Sequence, residues 1–198
     1  LQFWAWTGRA SDQHIQTWVT RTSGLDVISP TWFQLESVDG AVTDTSSPSL
    51  VKWLKNRGLE IHPLIHNQFD AELTAHFLAD QIAQEKFISS VVNQAASLGV
   101  DGLNLDFEAM NGDDRQAYTE FVRKFTAQAH DKNLIVSVDL PRGSLAWNHL
   151  TAYDHEQLAS IVDYIITMAY DQHYKGSNTP GSVSGLNWAD NGVKEFLS

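Results

Sequence analysis

Six times along the chain a short apolar run is followed by a turn and then by an amphipathic stretch with helical spacing. This alternation limits the fold more than any other feature of the sequence. The runs cover residues 3–6, 25–29, 61–65, 103–107, 134–138 and 164–169. Their starts are separated by roughly 20–40 residues, the length of a strand–helix unit. Between them, Ser11 is placed to cap a helix through Thr22, with Ile15, Trp18 and Val19 on one face. Ser47-Pro48 opens a second helix that Gly58 closes. A third is expected over 74–98 with a break near Asp80 and a stop at Gly99. Further helices are expected over 113–132, 154–160 and 188–197. Strand followed by helix, repeated, implies a parallel sheet covered by helices. An open doubly wound sheet and a (β/α)8 barrel both satisfy that pattern. The first strand leads into Trp6-Thr7-Gly8-Arg9, which contains neither GxGxxG nor GxxxxGK[ST]. A nucleotide site therefore lacks its main sequence support.

Composition excludes several classes. Acidic side chains outnumber basic ones 24 to 13, a formal net charge of −11. That opposes a nucleic-acid or anionic-membrane surface, both of which need clustered Lys and Arg. No apolar run approaches the roughly 20 residues that insertion through a bilayer requires. The absence of cysteine removes disulfides, thiolate metal sites and cysteine nucleophiles.

The most informative stretch is Asp101-Gly102-Leu103-Asn104-Leu105-Asp106-Phe107-Glu108. Side chains alternate along a strand, so Leu103, Leu105 and Phe107 share one face and Asn104, Asp106 and Glu108 the other. Three inward polar groups are costly unless they are bonded or used. Carboxylates at i and i+2 lie roughly 6–7 Å apart at the backbone. Their repulsion raises one pKa and keeps that group protonated, as a general acid requires.

This stretch resembles the DGxDxDxE signature of family 18 glycoside hydrolases, the chitinase-like fold. Asp101, Gly102, Asp106 and Glu108 match, while Asn104 stands where the signature has Asp. Asn there is similar to the spore-cortex and cell-wall N-acetylglucosaminidase branch of Gram-positive bacteria. Ile28-Ser29-Pro30-Thr31-Trp32-Phe33, the segment from His62 to Asp70, and Met168-Ala169-Tyr170-Asp171-Gln172-His173 resemble its second, third and sixth strands.

The resemblance implies a (β/α)8 TIM barrel and a retaining mechanism in which the substrate's N-acetyl group is the nucleophile. Glu108 would be the general acid and then the base. Asp106 would hold the acetamido N–H, Tyr170 its carbonyl, and Asp171 the same sugar. Asn104 cannot ionise, so Asp106 is expected to carry a more fixed charge than in the family. The implied substrate is a polysaccharide containing N-acetylglucosamine, in peptidoglycan or a chitin-like glycan. No metal and no cofactor are implied. The enzyme is expected to be secreted and wall- or spore-associated, with room for companion wall-binding domains outside this stretch. Such a barrel needs about 250 residues. Residues 1–198 are therefore expected to be a catalytic domain truncated before strands seven and eight, with open parallel edges at the first and sixth.

Further candidate sugar contacts are Asn67 with Gln68 and Asp70, Asp139 after the fifth strand, Trp32 with Phe33, and His173 with Tyr174. Turn chemistry, capping and core packing are the competing readings. Trp4, Trp18, Trp53, Trp147 and Trp188 are assigned mainly to packing. His62 and His66, at i and i+4, could hold a metal in a hydrolase barrel; inner-face and cleft-lining roles are preferred because the family uses none. The alternative function is a catalytically silent chitinase-like glycan-binding protein, against which the retained Glu108 argues.

Overall fold

The computed structural model describes residues 1–143 and 150–197; Trp147 lies outside the described residues. Strands β1 (Trp4–Gly8), β2 (Val27–Leu35), β5 (Leu64–His66), β6 (Gly102–Asp106), β7 (Ile135–Pro141) and β8 (Tyr164–Met168) lie side by side in that order, every neighbouring pair parallel. Helices α1 (Asp12–Arg21), α2 (Pro48–Lys55), α3 (Ala71–Ala79), α4 (Gln81–Leu98), α5 (Arg115–His130) and α6 (His155–Ile161) fall between them, and α7 (Leu186–Leu197) follows β8. A flat sheet of this width would hold its outer strands roughly 24 Å apart at about 4.8 Å per step. Instead the rings of Trp4 on β1 and Tyr164 on β8 have centroids 5.4 Å apart. The sheet is curled into a half-barrel, an incomplete (β/α)8 architecture. Among the described residues no helix is long and apolar enough to cross a membrane.

The alternation of side chains on β6 sets the two layers. Leu103, Leu105 and Phe107 are buried on the helix side. Phe107 stacks on Phe121 of α5 at 5.5 Å, and Phe77 of α3 meets Phe87 of α4 edge-on at 5.3 Å. Anchoring Phe107 outward obliges Glu108 to face the other way. The Asp-Gly that opens the strand has its own physical reason. Asp101 pairs with Lys55 and accepts the Ile61 N–H at 2.8 Å, pinning the strand's start to the neighbouring segment. A Cβ on Gly102 would stand 2.7 Å from the Ile135 carbonyl oxygen and 2.8 Å from the His62 ring.

Asp80 ends α3 and caps α4, accepting from Ile82 and Ala83 N–H at 2.8 and 3.2 Å, where the break is expected. The α3 helix begins earlier than the expected residue 74, because Asp70 caps it by accepting the Leu73 N–H at 2.9 Å. Asp70 is thereby a cap rather than a cleft residue. The third strand, expected over 61–65, is split into β4 (Glu60–Ile61) and β5. Pro63, which has no N–H to donate, lies in the gap, and both halves pair with β2. A short antiparallel strand, β3 (Val42–Asp44), adds to the expected set. It returns along β2 through a turn at Asp39-Gly40, where Gly40 has φ 75°. Asp-Gly is a hairpin signal that the sequence carries openly.

Candidate active site

Glu108 lies just past β6, and two side chains fix the backbone there. Asn67, at the end of β5, accepts the Glu108 N–H on Oδ1 at 2.9 Å. Its Nδ2 donates to the Glu108 carbonyl at 2.7 Å and to Thr74 Oγ1 at 2.8 Å. Tyr153 donates its hydroxyl to the Phe107 carbonyl at 3.0 Å. Ala109 follows with φ 55°, a left-handed conformation uncommon for a residue with a side chain. The chain thus turns sharply out of the strand directly after its last carboxyl group.

The contact between the Asp106 and Glu108 side chains lowers the pKa of Asp106 and raises that of Glu108, which favours the shared proton on Glu108. Burial and then the charge of Asp139 push Asp106 up to about 7. Burial, then the charges of Asp106 and Asp171, push Glu108 up to about 7. Asp139 is 5% exposed and is also pushed up to about 7 by burial. Like charges this close do not all ionise at neutral pH, so the trio titrates as a unit. Asp106 Oδ1 is buried and has no hydrogen-bond partner among the described residues. Tyr170 is half-buried. Its hydroxyl is pushed up to about 12 by burial and by the charges of Asp106, Glu108, Asp139 and Asp171, so it faces this group as a neutral donor. Trp188 donates its indole N–H to the Tyr170 carbonyl at 3.3 Å.

Asn104 is fully committed. Its Nδ2 donates to Asp139 Oδ1 at 2.8 Å and Ser137 Oγ at 3.0 Å, and its Oδ1 accepts from Trp6 Nε1 at 2.9 Å. These bonds lead to Asp139, not to Asp106. The expected fixed charge on Asp106 is therefore not what the structure shows. Asp106 holds its proton up to about 7, because burial and Asp139 act on it. Replacing Asn104 by Asp would exchange the amide donor facing Asp139 for another acid, and the two must then share a proton. The expected result for Asn104→Asp is a pH–rate profile whose alkaline limb moves up by at least about half a unit. A limb that stays in place would refute the coupling.

The structure brings Glu108, Asp106, Tyr170, Asn104, Asp139 and Asp171 together. It does not bring Asn67, Trp32 or His173 into this group. Asn67 is 0% exposed, spent on the Glu108 backbone rather than turned to the cleft. Trp32 is 6% exposed and belongs to the hydrophobic core. The β2–β5 register slips between Thr31 and Phe33, a bulge at Trp32 that upsets the simple alternation. His173 packs its ring against Gly181. His62 and His66 do not share a site either. His62 is buried edge-on against Trp4 at 4.8 Å, and burial lowers its pKa to about 4. His66 lies on a cleft of about 510 Å³ beside Asp106, with Arg9, Gln34 and Gln68. Sequence reasoning passes over Arg9 and Gln34. Their places at the ends of the first and second strands are the signal that could have found them.

The profile of "Glycosyl hydrolases family 18" matches residues 6–197. The uncharacterized glycosylase YvbX of Bacillus subtilis is 25% identical over 175 residues, 83% of this chain and 50% of that protein. A cortical fragment-lytic enzyme of Bacillus cereus is 26% identical over 166 residues, 80% of this chain and 37% of that protein. The chain thus spans half or less of these relatives. The crystal structure of a chitinase from Chromobacterium violaceum superposes with a TM-score of 0.85 at 21% identity, covering 100% of this chain and 64% of that one. The spore cortex-lytic enzyme SleL of Bacillus megaterium gives 0.86 at 18% identity, covering 99% and 47%. With nearly its whole length inside the matched profile, the chain belongs to glycosyl hydrolases family 18.

Proposed function

We propose that this chain carries the centre of a retaining glycosidase that cleaves β-1,4 bonds beside N-acetylglucosamine with help from the substrate's own acetamido group. The observation that carries the reading is the Glu108–Asp106 pair: a carboxyl that burial and neighbouring charge push up to about 7, beside a second whose Oδ1 is buried with no hydrogen-bond partner among the described residues. Glu108 gives its proton to the glycosidic oxygen as the C1–O bond breaks. The acetamido carbonyl oxygen bonds to C1 from the opposite side, giving an oxazolinium-like intermediate. Asp106 Oδ1 accepts the acetamido N–H, which becomes more acidic as that ring forms, and Tyr170 donates its hydroxyl to the carbonyl side of the group. Glu108, now a carboxylate, takes a proton from water as the water's oxygen attacks C1 and the oxazolinium ring opens. Two inversions retain the configuration, and the proton returns to Glu108.

The glycan is peptidoglycan in preference to chitin, a choice supported by relatives named for cortical fragments. The place of action is then the wall or the spore, outside the cytoplasm. Mass spectrometry of products from purified peptidoglycan and from chitooligosaccharides tests both levels. The expected products carry a new reducing-end N-acetylglucosamine and are released more readily from peptidoglycan. Release from neither polymer would end the glycosidase reading.

A further inference from the structure

Arg9 follows β1 and contributes to the cleft wall that Asp106 also lines. Its Nη2 donates to Gln34 Oε1 and lies 2.9 Å from His66 Nε2. Among the described residues no carboxylate stands within ion-pair distance of Arg9, whereas Lys55, Lys86, Arg115, Arg123, Arg142 and Lys194 each have one. Seven of the thirteen basic side chains lack an ion pair among the described residues, and of these Arg9 is the one that lines the cleft with Asp106. The nearby acid Glu36 is turned to other partners, accepting from Gln34 Nε2 at 2.8 Å and Thr43 Oγ1 at 2.6 Å.

His66 sharpens the geometry. Its Nδ1 faces the Gln68 N–H at 3.0 Å and accepts from it. Burial and the adjacent guanidinium lower its pKa, so the ring is neutral, and the proton of this tautomer sits on Nε2. Arg9 Nη2 and His66 Nε2–H are then two donors meeting at 2.9 Å. An oxygen acceptor shared between them satisfies both, and the charge and fork of the guanidinium favour a carboxylate. A polyanion does not fit, because Asp106 lines the same cleft and the whole chain carries a net charge of −11. A single charge on an otherwise neutral glycan does.

We infer that Arg9 and His66 form an anion-recognising subsite, and that the preferred substrate is an N-acetylated glycan carrying a carboxylate on a sugar close to the bond cleaved. This rests on the glycosidase reading and narrows its substrate.

Three matched oligosaccharides test it: one with a single lactyl-ether carboxylate on a sugar next to the bond cleaved, one with that carboxyl reduced to an alcohol, and one with the reduced sugar plus a carboxylate-ended peptide. The parent protein is expected to show a higher kcat/KM for the first, with a preference that weakens as salt is added. Arg9→Gln is expected to lower the acid-to-alcohol ratio of kcat/KM by about tenfold or more, and Arg9→Lys by less, since it keeps the charge without the fork. An unchanged ratio overturns the proposal, as does a preference restored by the peptide alone. Dissociation constants measured on Glu108→Gln protein read the same subsite without turnover. There the acid glycan should bind more tightly than the alcohol, and the added substitution Arg9→Gln should remove the difference. If no glycan is hydrolysed but this binding difference stands, the glycosidase reading fails and the subsite survives. Equal binding in this pair of proteins overturns the subsite whatever the activity.

Discussion

Glu108→Gln is expected to lower kcat by about three orders of magnitude while leaving KM within a few-fold of the parent. The substitution keeps the size of the side chain and removes the only proton the mechanism can deliver to the leaving oxygen. A positioned general acid contributes about 10²–10⁴-fold. The fold around the residue should persist, because Asn67 and Tyr153 grip the backbone of residues 107 and 108, not the carboxyl. The pH dependence supplies a second reading of the same experiment. Glu108 must be protonated to act first, and burial with the charges of Asp106 and Asp171 holds it protonated up to about 7. In the parent protein kcat/KM should fall as pH rises through about 7. In the glutamine variant the residual activity should lose that limb. A limb that persists unchanged would assign the proton to another group.

Asn67→Ala should produce the second large effect, of a different kind. The asparagine's hydrogen bonds reach none of the cleft group's side chains; it holds the main chain of Glu108 at both its N–H and its carbonyl. Removing it leaves these buried groups without partners, at about 1–3 kcal/mol of stability. It also frees the segment that aims the acid. A displacement of about 1 Å at a reacting group can cost about 10²-fold in rate. The expected pattern is a kcat reduced by about 10²-fold, little change in KM, and a lower denaturant midpoint. A sugar contact would give the reverse, a raised KM with kcat retained. Asn67→Asp should recover part of the loss, because it can still accept the Glu108 N–H. The kcat-against-KM split separates positioning from binding, and an unaltered kcat would remove Asn67 from the mechanism.

Much of this architecture can be read from local pattern alone. The strict alternation in 103–108 by itself separates an apolar face from a carboxyl face, and Asp80 announces its helix break through its own capping chemistry. What escapes is whatever depends on a partner far along the chain. The 61–65 run reads as one strand, and neither its break around Pro63 nor the pairing of both fragments with β2 follows from the local pattern. Trp32 sits beside a cleft in sequence order, yet a single-residue slip against β5 goes with its place in the core. Asn67 and Glu108 are 41 positions apart, and nothing in either segment indicates that the amide of one closes on the backbone of the other. Asn104 illustrates the same limit. Its chemistry as a non-ionising group is plain, but Asp139, not Asp106, receives its hydrogen bond. The Arg9–His66 pair joins strands that the sequence never sets side by side.

The three carboxyls of the cleft also have a thermodynamic side. In the unfolded chain they would release their protons at the ordinary carboxylate values near 4. The folded protein keeps them to about 7. Between those limits the native state binds more protons than the unfolded one, so stability is drawn down as pH rises through that window. Most folds are weakened by acid at their carboxylates; at these three, acid is the stabilising partner. The proton that Glu108 lends to a glycosidic bond is, between turnovers, a ligand of the native state.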